Sequence, residues 1–213
     1  MLALAAGVAS SAELELEGNR LLVTGALDGT ALTAFKEHLA SDKVRTVVFE
    51  NSTGGNADVA ESYAAAIRAS GVRTEMIGQC QAACAYAFLA GTEHRFGRGL
   101  YINALMIPVA SRPQSADLVG RWRGVGVQKT LADLSGPAVA DTSLTADLPA
   151  APAAEAPPPD NWRPDHGVLF TSTPTLFGRI YNTYYCDGTQ GRDVSKCELL
   201  SDADPYKLGV LTP

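Results

Sequence analysis

The feature that most constrains the fold is a repeated order of strand, turn and helix between residues 45 and 91. Residues 45–50, "RTVVFE", predict a buried strand, and the turn "NSTGGNAD" leads into a helix predicted over Ala57–Ser70 that ends at Gly71. A second strand, "VRTEMIG", and a second helix over 82–90 repeat this order. Because strand–helix–strand connections join parallel neighbours, we predict an α/β domain with a parallel sheet and crossover helices.

The turns after these two strands are the first candidates for function. Neighbouring parallel strands end at the same edge of a sheet, where their turns share a crevice. We therefore expect the Gly54–Gly55 turn to face the corner "CQAAC", in which Cys80 and Cys84 bracket the start of the second helix.

Shorter elements precede this unit. The stretch "LELEGNRLLVTGAL", residues 14–27, alternates around a Gly-Asn pair and predicts a hairpin or two short strands. Residues 30–40 predict a helix with Leu32, Phe35 and Leu39 on one face.

Composition divides the chain into one main domain and smaller pieces. A chain of 213 residues with 46% apolar residues can bury one good core. We predict a main domain over 13–136, an Ala- and Pro-rich linker over 137–161 and a C-terminal appendage over 162–213. The net charge of -6 disfavours nucleic acid and anionic lipid as partners, since both attract clustered Lys and Arg.

The first twelve residues, "MLALAAGVASSA", combine an apolar run with small residues at signal-peptidase spacing. They predict a signal peptide cleaved after Ala12 and a periplasmic or secreted protein. A strand lead-in is the alternative, because the basic leader usual in such peptides is absent. No later segment has the roughly 18 apolar residues of a membrane helix, so we expect no membrane span.

Four cysteines, at positions 80, 84, 186 and 197, fit an oxidising compartment. The simplest pairing by proximity joins Cys80 to Cys84 and Cys186 to Cys197. A zinc site built from all four is the rival, but their spacings match no common zinc knuckle. The Asp-rich stretches "CDGTQGRD" and "SDADPYK" lack the ligand spacing of a calcium loop, so we expect neither a metal nor a cofactor.

Two linked motifs within residues 47–96, "VVFENSTGGNADVAESYAAAIRASGVRTEMIGQCQAACAYAFLAGTEHRF", resemble the Clp-protease/crotonase superfamily. The chain is most similar to an exported, ClpP-like bacterial branch whose corner reads Cys-Ala-Ser-Ala-Cys before an apolar helix and "LAG". The resemblance implies that the Gly-Gly turn supplies oxyanion-hole amides. It also implies that the corner serine is the nucleophile and that a histidine further along the chain is its base.

Carried onto this chain, the resemblance assigns the oxyanion positions to Gly54, Gly55 and the amide of Ala83. Ala82 occupies the nucleophile position, and the base would fall within "NALMIPVAS", which contains no histidine. Losing either partner of such a dyad already costs several orders of magnitude in rate. The resemblance therefore implies a degenerate domain without serine-hydrolase activity.

Two side chains are candidates to replace the missing nucleophile. Ser52 precedes the glycine turn, although a hydroxyl before a helix more often serves in turns and caps. Cys80 would be favoured as a thiolate at a helix N-terminus, although a disulfide with Cys84 competes with that role. His94, in "GTEHRF", is predicted to lie on the surface. The remaining histidines are His38 and His166.

Three functions from different classes follow. We favour a non-catalytic binding or scaffold protein of the bacterial cell envelope, with a protein or peptide partner and the capacity to form homo-oligomers. The second is an enzyme that uses only the oxyanion hole to polarise a carbonyl, as crotonases do with thioesters, although export argues against a coenzyme A substrate. The third is a thiol redox protein using Cys80 and Cys84, whose spacing is one residue longer than the Cys-x-x-Cys of oxidoreductases.

Overall fold

The computed structural model describes residues 11–55, 57–98, 102–109, 112, 167–172, 183–187, 196–200 and 204–213. Its strands are β1 (Glu13–Glu17), β2 (Arg20–Ala26), β3 (Thr46–Thr53), β4 (Arg73–Gln81), β5 (His94–Phe96), β6 (Ala104–Val109), β7 (Gly167–Ser172), β8 (Thr183–Cys186) and β9 (Glu198–Leu199). Its helices are α1 (Leu32–Ala40), α2 (Ala57–Ser70), α3 (Ala83–Leu89) and α4 (Pro205–Leu208). The predicted linker and most of the predicted signal peptide lie outside the described residues.

The described strands form one mixed sheet in the order β1-β2-β3-β4-β6-β7-β8-β9, with β5 paired beside β6 against β4. Strands β2 to β6 pair in parallel, and α1, α2 and α3 lie in the connections between β2 and β5. Antiparallel pairs extend the sheet at both ends, through β1 on one side and β7, β8 and β9 on the other. The predicted α/β class is confirmed, and the predicted hairpin is β1 and β2.

Alternation along the central strands separates two faces of the sheet. Val47 and Phe49 of β3 are fully buried in one cluster with Tyr63 of α2. Val48 lies between them and points to the opposite face, where it is in register with Glu75 of β4. One face is therefore apolar and covered by helices, whereas the other carries charged side chains.

Helix α2 has the predicted bounds and the predicted glycine at its end. Gly71 has φ +65°, and its N–H donates to the Ile67 carbonyl at 3.1 Å, so the chain leaves the helix in a left-handed conformation. Strand β4 is longer than the predicted 72–78, because it pairs with β5 over its first half and with β6 over its last residues.

A buried amide joins the two neighbours of β4. Asn103 is 3% exposed, its Oδ1 accepts from the Gly78 N–H at 2.8 Å, and its Nδ2 donates to the Gly97 carbonyl at 2.9 Å. These bonds satisfy two backbone groups at the point along β4 where its pairing partner changes from β5 to β6. Because an unpaired buried N–H is costly, Asn103 stabilises the register that places both the corner after β4 and the loop after β5.

The C-terminal strands belong to the main sheet, and Leu208 of α4 joins its hydrophobic core. The Cys186–Cys197 disulfide links β8 to the residues before β9. Asp204 caps α4 by accepting from the N–H groups of Tyr206 and Lys207 at 2.8 and 3.1 Å. Within the described ranges, no helix combines the length and the apolar character needed to span a bilayer.

Candidate functional site

The glycine turn and the corner meet, as the sequence predicts. The Ala83 N–H donates to the Gly54 carbonyl at 3.1 Å across the crevice. A Cβ added to Gly55 would lie 2.3 Å from the Ala83 Cβ and 2.4 Å from the Leu27 carbonyl oxygen. The two turns are therefore in direct contact, without space for a side chain between them.

Both glycines of the turn are required by the backbone. Gly54 has φ +77° and Gly55 has φ +89°, a region that residues with a side chain rarely adopt. Conformation and close packing together explain the Gly-Gly pair without any reference to an oxyanion.

Ala82 lies in a strained turn between β4 and α3. Its φ of +53° and ψ of -117° fall outside the regions open to most residues with a Cβ. Its N–H donates to the Met106 carbonyl and its own carbonyl accepts from the Tyr86 N–H, both at 3.3 Å. A sharp, strained strand-to-helix turn is the backbone arrangement that presents a nucleophile in α/β hydrolases. Here the side chain is a methyl group.

A disulfide brackets this turn. Cys80 and Cys84 are bonded, with Cα atoms 5.3 Å apart, and both residues are fully buried. Cys186 and Cys197 form the second bond, so the predicted pairing is confirmed and the four-cysteine zinc site is wrong. Cys80 is accordingly not a free thiol. In the described part of the chain, no group of three His, Cys, Asp or Glu residues is placed to hold a metal ion.

Ser52 is a buried structural hydroxyl. It is 0% exposed, and its Oγ donates to the Gly25 carbonyl of β2 at 2.8 Å. The prediction of a turn or helix-cap residue is wrong, because β3 continues to Thr53 and places Ser52 beside Cys80 within the sheet. The hydroxyl proton is engaged and the side chain has no access to solvent.

His94 is buried, so its predicted surface position is wrong. It lies in β5 next to Thr74, on the face covered by α3, and its ring packs 5.6 Å from that of Phe88. Its Nδ1 is 2.9 Å from the Val210 carbonyl, which can only accept, so Nδ1 carries the proton. Burial lowers the pKa of His94 to about 4, and the hydrogen bond to Val210 opposes part of that shift.

The remaining histidines and the segment predicted to hold the catalytic base have the following positions. His38 lies in the last turn of α1, and His166 lies outside the described residues. The "NALMIPVAS" segment contains β6, in which Ile107 is buried and the Pro108 carbonyl accepts from the Tyr86 hydroxyl at 3.0 Å. Packing and a structural hydrogen bond occupy this part of the strand.

Comparisons with known proteins concern the fold. No family model and no curated protein sequence matches the chain. The chain is similar to an enoyl-CoA hydratase/isomerase from Pseudoalteromonas atlantica T6c, at 14% identity and a TM-score of 0.37, over 58% of this chain and 61% of that one. An enoyl-CoA hydratase from Mycobacterium avium subsp. paratuberculosis K-10 is similar at 12% identity and a TM-score of 0.34, over 59% and 60%.

The similar structures are described as enoyl-CoA hydratases or hydratase/isomerases. The chain covers 52% of the length of one such structure and 60% of another, so it spans about half to three fifths of the proteins it matches. The ClpP-like exported branch, with its serine corner, stays a prediction.

A second candidate site lies away from the corner and was missed by sequence reasoning. It is a cavity of about 510 Å³, and its charged lining residues are Arg20, Glu75, Arg95 and Arg98. These side chains come from three separate segments of the chain, so no motif joins them. The one available signal was the alternation in "RTEMI", which places charges on the sheet face opposite to the helices.

Proposed function

We propose that the chain is a non-catalytic binding or scaffold protein of the bacterial cell envelope, built on a crotonase-like domain. The observation that carries this proposal is Ala82. The backbone there adopts a strained corner of the kind that displays a nucleophile in hydrolases, yet the side chain is a methyl group. A methyl group neither attacks a carbonyl nor exchanges a proton.

The state of the predicted oxyanion hole supports the same proposal. An oxyanion hole needs donors placed 2.7–3.1 Å from the position that the developing charge will occupy. The Ala83 N–H is already bonded to the Gly54 carbonyl, and Gly55 is in contact with Ala83. An enzyme that used only these amides would have to break that bond and open the contact before it could bind a carbonyl oxygen.

The candidate replacement groups are each engaged elsewhere. Ser52 is buried and bonded to Gly25, and the His94 Nδ1–H is bonded to Val210. The thiol redox alternative requires access to Cys80 or Cys84, and both are fully buried. These contacts favour a structural role for Ser52, for His94 and for both cysteines of the corner.

The cell-envelope location is supported by the two disulfides, which fit an oxidising compartment. A protein or peptide is the proposed partner, because the acidic chain disfavours nucleic acid, and self-association belongs to the same proposal. Intact mass measured with and without reductant should reveal two bridges in protein exported to an oxidising compartment. Free thiols there would contradict the two disulfides and remove the support that they give to the proposed location.

The decisive experiment is active-site labelling. Purified protein should show no stoichiometric reaction with a fluorophosphonate probe and no turnover of small ester or peptide substrates. Ala82→Ser should stay close to the wild type, because a serine hydroxyl without a base is a weak nucleophile at neutral pH. Ala82→Gly is the matched control, since it changes the same position without adding a hydroxyl. Stoichiometric labelling of the wild type, at Ser52 above all, would overturn the proposal.

A further inference from the structure

The cavity lies on the sheet face opposite to α1, α2 and α3, with Tyr206 of α4 in its lining, and a row of charges crosses that face. Arg20 of β2 reaches over β3 and donates from Nη2 to the Glu75 Oε2 at 2.8 Å. Glu75 is in register with Arg95 on β5, and Arg95 also pairs with Glu93 at 3.2 Å. Cationic and anionic groups thus alternate along one wall of the cavity.

Arg98 adds a cation that is not compensated in this way. It follows β5, lines the cavity and is exposed, and it has no ion-pair partner among the residues that the structure describes. In the described lining, Arg20 is paired with Glu75, and Arg95 is paired with Glu93 and donates to the Pro213 carbonyl oxygen, so Arg98 is the guanidinium group left without an ion pair. The described part of the cavity therefore offers one exposed, uncompensated cation, Arg98, in a chain whose net charge is -6.

Gly97 lies in the wall of this cavity, packed closely against Ile77. Its φ is not positive, so the backbone does not require glycine there. A Cβ at this position would lie 2.5 Å from the Ile77 Cγ1, so close packing explains the missing side chain. Ile77 and Phe96 then line the cavity beside the charged groups. The site combines an apolar wall with cationic donors.

We propose that this cavity binds a small organic anion, a carboxylate or a phosphate carried on an apolar body. The planar guanidinium group matches both head groups through paired N–H donors, and each guanidinium has five such donors. A volume of about 510 Å³ lies within the range typical of small-molecule sites. This inference goes beyond the proposed function, since none of the lining residues belongs to the corner.

The first test compares probes that share an apolar body and differ in charge. Titration calorimetry of the full chain at low ionic strength should detect binding of naphthoate or naphthyl phosphate, and the ranking of the two identifies the preferred head group. Naphthol and naphthylmethylammonium should bind at least about tenfold more weakly, because they lack the charge that the guanidinium groups attract. Equal affinity for the ammonium probe, or no binding of either anion, would overturn the proposal.

Two substitutions with opposite expected effects on anion affinity test whether binding occurs in this cavity. Arg98→Gln should weaken anion binding about tenfold by removing a charged donor, whereas Glu75→Gln should strengthen it by removing the competing carboxylate. Lys36→Gln, on the exposed side of α1, makes the same change in net charge as Arg98→Gln and should leave the affinity unchanged. Circular dichroism confirms folding of each variant. Weaker binding in Glu75→Gln would refute an anion site, and neither result bears on the labelling of the corner.

Discussion

The corner and the cavity are both built on β4, yet they differ in almost every physical respect. At the corner, Ala83 and the rest of α3 are buried, the backbone of Ala82 is strained and the polar backbone groups bond to one another. Around the cavity, Arg20 and Glu75 keep 42% and 27% of their side-chain surface exposed. The region that resembles a catalytic motif thus serves packing, while the open space lies among residues that no motif connects.

The largest expected effect tests how tightly the corner is closed. Gly55→Ala should lower the free energy of unfolding by about 3 to 5 kcal/mol, because the new Cβ would overlap Ala83 and Leu27 at a positive φ. Gly18→Ala is the matched control: Gly18 also has a positive φ, but a Cβ there would meet nothing within 4 Å. It should lose only about 1 to 2 kcal/mol. Equal losses in urea unfolding would mean that the corner opens easily.

The next prediction compares His94 and Arg95, two adjacent residues on opposite faces of β5. The pKa of His94 is about 4 in the folded protein, below its ordinary 6.5, so the unfolded chain takes up the proton first. This contribution to stability is complete above about pH 6.5 and is lost as the pH falls towards 4, by about 3 kcal/mol in total.

Urea unfolding at several pH values checks this contribution. His94→Asn keeps a donor for Val210 but does not titrate, so its stability should decline less between pH 6.5 and 4. Arg95→Gln, on the cavity side of the same strand, should keep the full decline. An unchanged slope in His94→Asn would place the titrating group elsewhere.

A smaller effect of opposite sign concerns the strain at Ala82. Glycine adopts a positive φ without a steric penalty, so Ala82→Gly should raise the free energy of unfolding by about 0.5 to 1 kcal/mol. Ala87→Gly, in the interior of α3, should instead lower it by at least about 1 kcal/mol, because glycine is a poorer helix former and a buried methyl group is lost. A loss of stability in Ala82→Gly would show that the methyl group contributes more by packing than the turn costs in strain.

The smallest effect lies on the cavity face. Arg20→Gln breaks the pair with Glu75, and because both side chains are partly exposed we expect a loss of about 0.5 kcal/mol or less. That loss should shrink as salt is added, since screening weakens exposed pairs. A loss comparable to that of Gly55→Ala would remove the contrast between the two regions.

Local patterns were sufficient for much of the architecture. Alternating and helical periodicities placed β1, β2, β3 and α2, and Gly71 marked the end of α2 because a left-handed exit favours glycine. The proximity of Cys80 to Cys84 and of Cys186 to Cys197 indicated both disulfides. The parallel pairing of β3 and β4 followed from the helix between them, since a crossover returns the chain in the same direction.

Contacts between residues distant in the sequence decided the features that local patterns did not predict. His94 is buried and its Nδ1 bonds to the Val210 carbonyl, 116 positions away, and Ser52 lies in a strand because β3 extends into the predicted turn. The same holds for the cavity, where Arg20 reaches Glu75 across 55 positions. Periodicity and spacing describe a residue's neighbours along the chain. Burial, pKa and access depend on neighbours in space, and only the packed sheet brings those together.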